Sequence, residues 1–157
     1  GVQTCALPIS YCIAPPELTV EFRKVHQFVT FTTHTPTQWA IADFMTAHPE
    51  HEDELSLFYQ AKRDVFLEAF SALPFSMTAS AGTYFQLADY GEVSGLSHLS
   101  DIACAEKLTQ DYGVAVIPIS VFYERPQSGQ TFIRFCFAKS ETLLQEAAGR
   151  LSQVVRV

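Results

Sequence analysis

Apolar positions recur along the chain with two different periods, and the switches between them mark out its elements. Tyr11-Cys-Ile-Ala-Pro-Pro16 reads as the end of a strand entering a turn, because two consecutive prolines continue neither regular element. From Pro16 the positions Leu18, Phe22, Val25 and Val29 fall at spacings of four, three and four and predict a helix, with Glu17 at the positive end of its dipole. The β-branched run Phe28-Val-Thr-Phe-Thr-Thr-His-Thr35 ends that preference. Thr35 is then expected to cap a second helix, with Pro36 at its first position, that runs through Trp39 and Phe44 to a stop at His48-Pro49. Glu52 to Leu73 carries the broadest apolar stripe, Leu55, Phe58, Val65, Phe66, Ala69, Phe70 and Leu73, interrupted by Lys62 and ended before Pro74.

Beyond Pro74 the period changes. Phe75 to Ala79 predicts an edge strand and Gly82 to Ala88 a second one. A helix from Ser100 carries Ile102, Leu108 and Tyr112 and stops at Gly113. Val114 to Tyr123 is a strand that Pro118 breaks or places at an edge. Glu124 to Gln130, with Pro126 and Gly129, forms a turn into a strand over Thr131 to Lys139. Ser140 caps a last helix with Leu143, Leu144, Ala147, Leu151 and Val154 on its apolar face.

Composition narrows the class. Of the 157 residues 48% are hydrophobic and 13% aromatic but only 17% charged, a globular and greasy chain in which some apolar area is expected to be covered by another domain or subunit. A net charge of −7 and a pI near 5.1 argue against a nucleic-acid or anionic-membrane partner, and no apolar run approaches a bilayer span. Four cysteines without CxxC or metal-like spacing fit a reducing cytoplasm better than a disulfide framework. His48 and His51 beside Glu50, Glu52, Asp53 and Glu54 invite a metal reading. Pro49 breaks the helical geometry two ligands would need, so no metal site is expected.

One charge stands out. In Thr131-Phe-Ile-Arg-Phe-Cys-Phe-Ala-Lys139, Ile133, Phe135 and Phe137 alternate with Phe132, Cys136 and Ala138, as expected of a strand covered on both sides. Arg134 lies in its middle. A near-buried guanidinium requires an anionic partner, either a structural Asp or Glu or a ligand carboxylate, whose geometry its fork matches.

The Phe132–Lys139 stretch resembles the C-terminal strand of fold-type-I, pyridoxal-phosphate-dependent class I/II aminotransferases of the methionine and kynurenine/glutamine branch. Tyr11-Cys-Ile-Ala-Pro-Pro-Glu-Leu-Thr19 through Val25-His-Gln27 to Thr35-Pro-Thr-Gln38 is similar to the segment after the cofactor lysine in that family. Ala81-Gly-Thr-Tyr-Phe85 and Ile117-Pro-Ile-Ser-Val-Phe122 resemble further family segments beside the substrate. The resemblance implies an α/β fold: residues 11–50 as the end of the large domain with an interdomain helical segment, and residues 51–157 as an α+β small domain. It also implies that Arg134 clamps a substrate α-carboxylate, with Tyr84, Ser120 and Phe122 near the substrate. Phe31, Thr33 and His34 would border pyridoxal 5'-phosphate across a homodimer interface, although the same loop also reads as an ordinary polar connection with a cap.

The parent expected from this resemblance moves an amino group from methionine or an aromatic or glutamine-like amino acid to a 2-oxo acid. Its Schiff-base lysine would lie shortly before Tyr11, since Lys24, Lys62, Lys107 and Lys139 have no such context, so this stretch by itself is expected to be inactive. Gly1-Val-Gln-Thr-Cys-Ala-Leu-Pro-Ile9 resembles a translated sequencing adapter, and residues 1–10 are expected to be an artefact. Two alternatives stay open: a non-enzymatic α+β carboxylate-binding or dimerisation module, and a decarboxylase or lyase of the same fold.

Overall fold

The computed structural model describes residues 11–125 and 130–154. The chain divides into two compact units, Gly1–Glu52 and Asp53–Val157.

The first unit holds helices α1 (Pro16–Val29) and α2 (Thr35–Ala47). Pro16 opens α1, where a missing N–H costs nothing. The start of α2 differs from expectation by one residue: His34 is the cap, and its Nδ1 lies 2.7 Å from Thr37 Oγ1. Thr35 is already helical, so its hydroxyl does not serve as the capping group. Neither helix buries a residue, and Phe28 and Trp39 are 86% and 68% exposed. The Phe44 ring packs between His48 and His51, at 4.9 and 5.1 Å between centroids.

The second unit is built on a three-stranded antiparallel sheet in the order β1 (Phe85–Asp89), β3 (Phe132–Cys136), β2 (Ile117–Pro118). Helices α3 (His51–Phe70), α4 (Asp101–Tyr112) and α5 (Glu141–Leu151) complete the α-and-β architecture. Ile133, Phe135 and Phe137 descend from one face of β3 into a core with Phe66, Phe70 and Phe75. The Phe135 ring lies 5.6, 5.1 and 5.8 Å from those three rings. Leu108 of α4 and Leu144 and Leu151 of α5 join the same core. Burying side chains of this size contributes roughly 1.5–3 kcal/mol each, so the cluster is what holds the sheet to its helices.

Local chemistry sets the helix ends. Ser100 and Ser140 cap α4 and α5 by accepting from the N–H groups of Ala103 and Leu143. Gly113 ends α4 at φ +66°, where its N–H donates to Thr109 O and the Val114 N–H to Leu108 O. A Cβ there would sit 2.8 Å from Arg150 Nη1, which donates to the Gly113 carbonyl and ties α5 to this turn.

Four expected elements change. Phe75–Ala79 is not a strand: only Ser76 bridges to Asp89. The side chain of Gln86, buried to 1% exposure, takes over the ladder's role by donating to Thr78 O and accepting from Ser80 N–H. The second strand begins at Phe85 rather than Gly82, because Thr83 sits at φ +66°, outside strand geometry. The long strand expected after Val114 shrinks to Ile117–Pro118, Pro118 lacking an N–H to extend pairing, and a 3-10 turn over Ser120–Phe122 follows. Along α5 Leu143 is exposed while Ala148 is buried. The Pro126 and Gly129 turn and residues 1–10 lie outside the described residues. No helix among the described residues is long and apolar enough to cross a membrane.

Two outcomes are expected of this fold. The exposed apolar side chains of α1 and α2 should make the chain by itself bind a dye such as anilinonaphthalene sulfonate, and replacing Phe28 and Trp39 by Ser should lower that signal. A chain that leaves the dye dark would contradict the exposure. The second outcome concerns pH. Burial, with help from the Asp101 charge, pushes the Cys104 thiol from 9.0 up to about 12. Burial, then the charges of Cys104, Asp101 and Asp89, pushes Tyr90 from 10.0 to about 12. Both folded values lie above the unfolded ones, so the fold favours the neutral forms. Their contribution is complete below pH 9 and is lost as pH rises toward 12. The urea midpoint should therefore hold steady through pH 8 and fall above about pH 9, with a shallower fall in Cys104→Ala. A midpoint flat to pH 11 would exclude this coupling.

Candidate functional site

Arg134 occupies the middle of the central strand, opposite Leu87 on one side and Ile117 on the other. Only one face of β3 is closed. Ile133, Phe135 and Phe137 are buried, whereas Phe132 is exposed and Arg134 and Cys136 are half-buried. This corrects the expectation of a strand covered on both sides. The guanidinium keeps contact with water and does not need an internal countercharge.

Aromatic rings take the place expected of an anion. Arg134 Cζ lies 4.6 Å from the centroid of Phe85 and 5.0 Å from that of Phe122. These rings come from opposite edges of the sheet, Phe85 from β1 and Phe122 from the turn after β2. Contacts of this kind are worth about 0.5–2 kcal/mol each and restrict a long side chain that would otherwise sample many rotamers. No hydrogen bond or ion pair joins the Arg134 guanidinium to another described residue. Its N–H donors, arranged as a planar fork, are left for a planar acceptor such as a carboxylate.

Ser120 lies at the base of this arrangement. Its N–H donates to Asp101 Oδ2 at 2.6 Å and its hydroxyl to Oδ1 at 2.9 Å, so both donors are committed within the protein. Phe122 follows two residues later and is 59% exposed. Tyr84 falls on the other face. Its carbonyl accepts the Phe137 N–H, and its ring stands 6.2 Å from Tyr59 and, edge-on, 5.8 Å from Phe85. It lines a separate cavity of about 380 Å³ with Tyr59, Arg63, Ser80, Thr83 and Phe137.

Phe31, Thr33 and His34 belong to the first unit, in the connection between α1 and α2. Phe31 adopts φ +63°, and its N–H donates to His26 O at 3.0 Å, closing the end of α1. Gln38 Nε2 donates to Thr33 O at 3.0 Å, and His34 faces Thr37, so the loop is pinned to the first turn of α2.

Sequence reasoning missed two residues at this site, Phe85 and Asp101. The alternation along β1, counted from its pairing with β3, identifies Phe85, but only once the register is known. Asp101 carried the ordinary signal of an acidic residue in a first helical turn.

Comparison with known proteins identifies the family. The sequence pattern of the family "Aminotransferase class I and II" matches residues 6–151. Methionine aminotransferase of Escherichia coli is 44% identical over 146 residues, covering 93% of this chain and 37% of that protein. Kynurenine–oxoglutarate transaminase of Dictyostelium discoideum is 32% identical over 161 residues, again covering 37% of the relative. Two solved structures superpose well. A crystal structure of an Escherichia coli protein with methionine aminotransferase function gives a TM-score of 0.74 at 45% identity, covering 90% of this chain and 36% of that one. N-succinyldiaminopimelate aminotransferase from Mycobacterium tuberculosis gives 0.75 at 28%, covering 89% and 36%. The chain thus spans little more than a third of the length of these relatives. With the match running over nearly its whole length, this chain belongs to the class I and II aminotransferase family.

Proposed function

We propose that this chain is the C-terminal part of an aminotransferase that moves an amino group from methionine, or an aromatic or glutamine-like amino acid, to a 2-oxo acid, and that Arg134 binds the α-carboxylate. The observation that carries this reading is the state of Arg134: a guanidinium stacked by Phe85 and Phe122, with no acceptor from any described residue. A half-buried guanidinium that needed only water would not require two rings to restrict its rotamers. This one is held ready for a partner that arrives from outside.

Class I and II aminotransferases work with pyridoxal 5'-phosphate, which supplies an electron sink at the amino-acid α-carbon when bound. We place the lysine that would hold that group outside the described residues. A site for the cofactor needs a lysine whose amine is held away from competing charges. Lys24 is instead bound to Glu21 and Lys107 to Asp111, each at 2.7 Å on the surface. Lys62 stands 3.9 Å from Glu141 and over the Phe58 ring. The role proposed for this stretch is accordingly recognition of the substrate's carboxylate. Phe122 and Val121, both exposed beside Arg134's strand, support an apolar substrate side chain. The homodimer and the cytoplasmic setting expected from the sequence belong to the same proposal. The exposed apolar side chains of the first unit support burial in an assembly.

The test uses the full-length protein that carries this sequence, assayed with methionine and a 2-oxo acid. Arg134→Lys keeps the charge but loses the fork. It should raise the amino-acid KM by about ten- to a hundredfold, the range that corresponds to roughly 1.5–3 kcal/mol for hydrogen bonds to a charged group. Unchanged KM and kcat in that variant would rule out the clamp, and absence of transamination by the intact protein would favour a non-enzymatic carboxylate-binding module.

A further inference from the structure

Phe122 is mostly exposed, so packing alone does not explain why its ring stands over Arg134. The turn that carries it has only short-range bonds of its own: Phe122 N–H to Ile119 O and Tyr123 N–H to Ser120 O, both at 3.1 Å. Pairing with β3 has already ended, at Pro118. Among the described residues, the long-range hydrogen bonds at this point come from the first residue of α4. Asp101, 5% exposed, accepts the Ser120 N–H on Oδ2 and the Ser120 hydroxyl on Oδ1, which also accepts the Ile102 N–H at 3.0 Å. Three donors on one carboxylate offset the cost of burying its charge, and the helix N-terminus adds a favourable field. The grip is on both the backbone and the side chain of Ser120, which fixes the position of the turn and its rotation.

We propose that Asp101 is a positioning residue for carboxylate recognition. By holding Ser120 at two points, it sets Phe122 over the Arg134 guanidinium and so restricts Arg134 to the rotamer in which its fork receives the substrate. Ser120 acts as the handle of this latch, its proton directed to Asp101. The inference rests on the carboxylate reading of Arg134. It adds a requirement that reading does not contain: carboxylate affinity depends on a residue from a different helix, through a ring that forms no hydrogen bond itself.

The experiment measures, in the full-length protein, the calorimetric Kd of 4-(methylthio)butanoate, a monocarboxylate without an amino group, together with KM and kcat for methionine. Asp101→Asn weakens the acceptor, and Ser120→Ala removes one of the two grips while leaving the α4 N-terminus intact. Each should raise Kd and KM about three- to tenfold, with kcat changing less than about threefold. In an Arg134→Lys background the same substitutions should shift Kd by less than about twofold, because the group they position is gone. Unchanged Kd in the Ser120→Ala and Asp101→Asn proteins would overturn the inference while leaving the clamp intact. So would an equal shift in both backgrounds, which would give Asp101 a structural role only. If Arg134→Lys itself leaves Kd unaltered, the carboxylate reading fails and the latch fails with it. Should Asp101→Asn not fold, Ser120→Ala decides.

Discussion

Alternation along β3 is the constraint on which the second unit depends. Ile133, Phe135 and Phe137 are fixed in an aromatic core with Phe66, Phe70 and Phe75, and a strand places its next residue on the opposite face. Once those three side chains are inside, Arg134 has no choice of side. A slip of one residue would drive the guanidinium into the core and put three apolar groups in water, so the pairing register and the arginine's exposure are a single property. The core therefore stabilises the site as well as the sheet, and the two uses share no side chain.

How far this was readable from the chain depends on the distance over which each interaction acts. The helix termini at Ser100, Gly113 and Ser140 are local decisions, made by a hydroxyl oxygen three residues from the N–H it accepts or by a backbone that tolerates positive φ. They stand where the sequence puts them. The apolar period likewise locates α3 within a few residues. The strand expected over Phe75–Ala79 was not legible as absent, because its replacement is a buried glutamine side chain acting from six to eight residues away. No periodicity announces that Gln86 will spend its amide on backbone groups rather than point outward.

The site shows the same division more sharply. Arg134 was conspicuous because it broke an apolar run, yet the run suggested two covered faces where the structure has one. Periodicity reports what each side chain prefers, whereas burial depends on which layers the rest of the unit supplies. Phe85 and Arg134 meet across 49 positions of sequence and Asp101 and Ser120 across 19, so neither contact leaves a trace in local spacing. Phe122 was identified through family resemblance. The reason its position matters, a ring over a guanidinium, emerged only with the fold.

Asp101 joins the two parts of this account. Its charge helps raise the Tyr90 and Cys104 protons within the core, and its oxygens reach outward to Ser120. A carboxylate in that position is expensive unless all its lone pairs find donors, so the sequence commits the Ser120 and Ile102 amides and a hydroxyl to it. A neutral apolar residue would pack there at lower cost in isolation. What it could not do is orient the chain beyond: dispersion contacts tolerate rotation of a turn, whereas two hydrogen bonds from one serine to one carboxylate do not. The buried charge is thus best understood as a device for direction rather than for stability, placed where the sheet's own pairing gives out.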